Sequence, residues 1–87
     1  YYSDIVEEAC ALMESLLINH PFMDGNKRTA FAACSVFLHI NGQRIKGDSN
    51  KLFMLIIHWL QLPPAERFRT MANDLRNLVE KQTKPKQ

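Results

Sequence analysis

Nine consecutive residues, His20-Pro21-Phe22-Met23-Asp24-Gly25-Asn26-Lys27-Arg28, bring together a proton acceptor, a carboxylate, a glycine turn and two cations. A Gly-containing turn that runs straight into a helix points several backbone N–H groups the same way, and the helix dipole adds roughly half a positive charge there. That is the construction of an anion site. Lys27 and Arg28 sharpen the reading, because cations in a first helical turn are disfavoured by about 0.3–1 kcal/mol each. A bound polyphosphate removes the conflict by meeting the N–H groups, the ammonium and the planar guanidinium fork together. His20, with an ordinary pKa near 6.5, is suited to take a proton from a hydroxyl. Asp24 is the one carboxylate in the loop, and a hard oxygen ligand beside phosphates suits Mg²⁺.

Each residue has a plainer reading. His20 could simply sit at the negative end of a helix, Asp24-Gly25-Asn26 could be an ordinary turn, and Lys27 and Arg28 could be solvated charges. Phe22 and Met23 are structural on either view. The conjunction of all these groups in one loop favours a functional site.

The elements that must hold this loop are helices. Asp4 and Glu7 have capping-box spacing, and Ile5, Ala9, Leu12, Met13 and Leu16 then recur at helical intervals, predicting a helix from about Asp4 to Asn19. Pro21 disfavours helical geometry at His20 and ends it. A second helix follows the loop and stops at Asn41-Gly42 in a left-handed cap. It is apolar nearly all round, with a narrow polar strip through Arg28, Ser35 and His39, so it is expected to be the buried central helix. Gln43 to Asn50 reads as a polar connection. A third helix, capped by Asp48 or Ser49, turns Leu52, Leu55, Ile56 and Trp59 inward. Pro63-Pro64 opens a fourth, whose inward stripe is Phe68, Met71, Ala72, Leu75, Leu78 and Val79. No strand alternation of useful length is present. The expectation is an all-α bundle of about four helices over residues 1–80, with 81–87 a flexible basic tail.

Composition sets outer limits. The 87 residues suit one domain, and 11 Lys plus Arg against 9 Asp plus Glu leave a formal charge of +2, too little to announce a nucleic-acid partner. The connection from Asn41 to Asn50 is also long for a DNA-binding helix pair. No apolar run reaches the roughly 18 residues of a membrane span. No secretory leader is visible, and the start at Tyr1 suggests a fragment or processed product. Cys10 and Cys34 lie among apolar helical residues without metal-ligand spacing, so buried thiols in a reducing cytoplasm are expected.

The segment His20, Phe22, Asp24, Gly25, Asn26 and Arg28 resembles the signature of the Fic/Doc superfamily, His-x-Phe-x-Asp/Glu-Gly-Asn followed by basic residues. Lys27, Thr29 and Ala30 resemble its death-on-curing (Doc) branch, and weaker similarity runs from Tyr1 to about Gly42. The resemblance implies that His20 is the general base, that Asp24 holds Mg²⁺, and that Gly25, Asn26, Lys27 and Arg28 bind the phosphates of ATP or another nucleoside triphosphate. It further implies a protein hydroxyl as acceptor, with a translation elongation factor as the Doc branch's target, and a small antitoxin as partner. The adenylylating branch has Gly where this chain has Lys27, and Arg where it has Phe31, which points toward phosphoryl transfer. The family's target-aligning flap would lie upstream of Tyr1. Adenylyl transfer, or a non-catalytic interaction domain on the same fold, are the alternatives.

Overall fold

A computed structural model describes residues 4–19 and 26–81, Asn26 through its backbone alone. The order is α1 (Ile5–Asn19), α2 (Asn26–Ile40), β1 (Gln43–Ile45), α3 (Ser49–Leu60), α4 (Pro64–Leu78) and β2 (Val79–Lys81). The four helices carry the fold, as the periodicity predicts. Among the described residues no helix is long and apolar enough to cross a membrane.

Local chemistry sets most of the boundaries. Asp4 Oδ1 accepts from the Glu7 amide at 2.9 Å, closing the first orphan donors of α1. The acids Glu7 and Glu8 occupy its first turn, where they favour the dipole. At the far end of α2 the Asn41 side-chain amide donates to the Phe37 carbonyl at 2.8 Å, and Gly42 takes φ +79°. That left-handed geometry admits glycine without a Cβ penalty. Asp48, not Ser49, caps α3 by accepting from the Lys51 amide at 2.9 Å. Pro64 opens α4, where its missing N–H is not needed.

Among the described residues the buried set is entirely apolar: Ala9, Cys10, Met13 and Leu17 from α1, Ala30, Cys34 and Leu38 from α2, Leu52, Ile56 and Trp59 from α3, and Met71, Ala72 and Leu75 from α4. The Trp59 indole N–H finds Asp74 Oδ2 at 2.8 Å, so the largest buried ring leaves no donor unpaired. Both cysteines are free and buried, and burial pushes each thiol up to about 12.

Two details depart from the sequence reading. Gln43–Ile45 is a strand, paired antiparallel with Val79–Lys81 in the register Gln43↔Lys81, Arg44↔Glu80, Ile45↔Val79. Three-residue strands are too short to show alternation, and Val79, β-branched, leaves the helix for extended backbone at φ −98°, ψ 141°. Lys81 therefore pairs in the ribbon, while residues 82–87, the rest of the expected tail, lie outside the described residues. Second, α2 is central, touching α1, α3 and β1, but it is buried on one side only. Val36 is 57% exposed and Ile40 74%. With Leu12, Thr29, Ala32, Ala33 and Phe37 they line an open apolar groove of about 590 Å³. A helix's own composition shows that it can be buried all round; it does not show how many neighbours it meets.

Candidate functional site

The loop is flanked by two described helix ends, Asn19 closing α1 and Asn26 opening α2. His20, Pro21, Phe22, Met23, Asp24 and Gly25, with the Asn26 side chain, lie outside the described residues. The expected roles of His20 as base, Asp24 as metal ligand and Gly25 as anion-loop residue therefore stand on the sequence. Asn26 begins α2, and Lys27 and Arg28 fall in its first turn, as the spacing requires.

That first turn contains no acidic residue. Neither Lys27 nor Arg28 forms an ion pair with a described carboxylate, whereas α1 places Glu7 and Glu8, and α4 Glu66, in the first turn. The dipole conflict read from the sequence is thus present and uncompensated by any described group. Lys27 is partly buried and Arg28 exposed, so the two cations leave the helix in different settings. Two cations in the first turn of a helix, where N–H groups point outward, make a donor set that fits a polyphosphate. Among the described residues no group of three or more His, Cys, Asp or Glu could hold a metal ion, and the carboxylate expected to serve, Asp24, is outside them.

Several supporting contacts were not legible in the sequence. One turn below Lys27, the Phe31 ring meets Phe53 of α3 edge-to-face, centroids 5.5 Å apart and planes at 73°. On the α1 side, Arg67 of α4 donates from Nε to the Trp59 carbonyl at 3.2 Å and from Nη2 to the Leu62 carbonyl at 3.3 Å. Its Nη1 lies 3.6 Å from Glu14 of α1. The guanidinium so ties the α3–α4 corner to the helix that delivers His20. At the opposite end of α1, Arg76 pairs with Asp4 at 2.8 Å and approaches Glu7 at 3.9 Å. The Glu7 amide first, and Arg76 second, hold the Asp4 carboxyl below its ordinary range. Only pattern reading along one helix is available from sequence, and these contacts join different helices.

Comparison with known proteins now bears on this segment. Residues 1–38 match the Fic/DOC family. The matched stretch holds the whole of α1, the loop with its His20–Arg28 run, and most of α2. "Toxin Doc" from Mycolicibacterium smegmatis (strain ATCC 700084 / mc(2)155) is 51% identical over 47 residues, which is 54% of this chain and 36% of that protein. The match thus spans about a third of the relative's length. No solved structure matches the chain.

Proposed function

We propose that residues 20–28 form the donor site of a nucleotide-dependent protein-modifying transferase, a Doc-type toxin that transfers the γ-phosphoryl group of ATP to a hydroxyl of a target protein. The observation that carries the reading is the α2 first turn, with Lys27, Arg28 and no acid, directly after the His-x-Phe-x-Asp-Gly-Asn run inside the Fic/DOC-matching segment. In this reading the acceptor oxygen attacks the γ-phosphorus, the bond to the β-phosphate oxygen breaks, and ADP leaves. His20 takes the hydroxyl proton. The backbone N–H groups at Gly25 and Asn26, with Lys27 and Arg28, hold the phosphates and the charge that develops on them. Mg²⁺ bound through Asp24 would supply further charge neutralisation. Positioning and electrostatics are most of what phosphoryl transfer asks of a protein.

The preference for the γ-phosphate rests on two positions. Lys27 fills space with a long cation where adenylylating relatives have Gly, and Phe31, where they have Arg, is committed to Phe53 and offers phosphate no charge. The target class that goes with this reading is a translation elongation factor, and the partner that restrains the toxin is an antitoxin protein.

A specific observation favours a second reading. The apolar groove on α2 suits a protein-binding module that keeps the loop without turnover. Incubating the protein and candidate target with ATP labelled at either the α or the γ position separates the cases. Transfer of γ label, lost in His20→Ala with an unchanged melting temperature, supports the kinase. Label from the α position overturns phosphoryl transfer, and label from neither favours the binding module.

A further inference from the structure

Two described residues just past the first turn of α2 anchor its N-terminal end. On the core side Ala30 is fully buried, as are Cys34 and Leu38 further along, but its methyl group is small and close to the helix axis, so at this end of the helix it constrains rotation only weakly. The second anchor is Phe31, whose ring projects further and meets Phe53 of α3 edge-to-face at 5.5 Å. Both rings are partly buried against the core. Phe31 follows Lys27 by four residues, so the two side chains lie on one face of α2, and Lys27 is the partly buried cation of the pair.

We propose that Phe53 is a positioning residue for the phosphate site, acting through Phe31 to hold the N-terminal end of α2 and so the direction of the Lys27 ammonium. The inference rests on the reading of Lys27 and Arg28 as phosphate contacts. With Cα atoms about 2.3 Å from the helix axis, an extended lysine carries its ammonium on the order of 8 Å out, so a rotation of roughly 20° sweeps it by about 3 Å. A charge-assisted hydrogen bond tolerates a few tenths of an ångström. Cys34 and Leu38, fully buried further along, set the mean rotation of α2; the Phe31–Phe53 contact holds its N-terminal end, from which Lys27 departs, within that limit, and the quadrupoles of the two rings favour the edge-to-face angle seen here.

The test is a double-mutant cycle on Mg-ATP affinity, measured calorimetrically on the 87-residue chain well below its melting temperature, with Phe53→Leu, Lys27→Gln and the pair. Phe53→Leu keeps apolar bulk and removes the ring edge; if it does not fold, Phe53→Met serves in the same cycle. The expected result is a loss of about tenfold for each single variant and little further loss when they are combined, because a misdirected lysine has no contact left to lose. Phe53→Tyr, which keeps the ring, is expected to bind within about twofold of the unmodified chain. A merely structural Phe53 lowers the melting temperature and leaves affinity unchanged, or gives losses that multiply in the pair; either result overturns the proposal while leaving the phosphate site standing. Absence of Mg-ATP binding by the unmodified chain overturns both.

Discussion

Replacing Lys27 and Arg28 by Gln should move stability and affinity in opposite directions. Gln has nearly the helix propensity of Lys and Arg, so the change acts mainly through charge. Arg28 is exposed, and removing its charge from the N-terminal turn should stabilise the apo protein by about 0.3–1 kcal/mol. Lys27 is partly buried; its shorter replacement gives up apolar contact at about 0.8 kcal/mol per buried methylene, which offsets a dipole gain of similar size. The double variant should therefore gain about 0.5 kcal/mol, nearly all from Arg28, or about 2–4 °C in Tm for a domain of this size. The gain should shrink at high salt, where the dipole term is screened.

Affinity should fall far more than stability rises. Hydrogen bonds to charged groups contribute about 1.5–3 kcal/mol each, so losing both cations should weaken Mg-ATP binding by at least about 100-fold. Thermal melting at low and high salt, with calorimetric titration of the same samples, reads both signs. An unchanged Kd refutes the phosphate cradle. A lower Tm for Arg28→Gln alone refutes the dipole argument, since that exposed side chain has no packing contribution large enough to mask it.

Three further outcomes follow from the packing. Asp74→Ala strips the Trp59 indole of its acceptor in a buried setting and should cost about 1–3 kcal/mol, read from denaturant unfolding followed by the chain's one tryptophan; an unchanged midpoint would show that the indole finds another partner. Asp4→Ala should cost about 1 kcal/mol through the α1 cap, and Asp4→Asn clearly less because Asn also caps. Asp4 is depressed in the folded state, so its contribution is present above its ordinary value of 3.8 and is lost as pH falls through the lower folded value; Asp4→Asn should flatten stability in that acid range, and an unaltered acid limb would remove the linkage. Cys10 and Cys34, at about 12 against an ordinary 9.0, should form thiolate about a thousandfold less at pH 8, so a thiol reagent should label them only on unfolding; rapid labelling of native protein would contradict their burial.

The helix boundaries were readable because local residues define them. Asp4 and Asp48 accept amides three residues ahead, Gly42 supplies the left-handed end of α2, and Pro64 opens α4. Interactions between distant residues left no such mark. Gln43 pairs with Lys81 across most of the second half of the chain, and nothing in either triplet announces the other. Arg67 reads as an ordinary helical cation, yet it joins the α3–α4 corner to Glu14 of α1.

The same division runs through the site. Its chemistry is legible because a proton acceptor, a carboxylate and two cations are adjacent in sequence, and because Lys27 and Arg28 violate a rule that α1 and α4 obey. What packs beside the start of α2 is not adjacent in sequence: Phe31 meets Phe53 of α3, beyond residues 1–38 that match the Fic/DOC family, and on the proposal above that contact directs Lys27. On the proposed reading, the motif sets which atoms would meet the phosphate, while the helix packed beside it sets where Lys27 would point. Variation in α3 would then retune the proposed donor site without touching one residue of the motif.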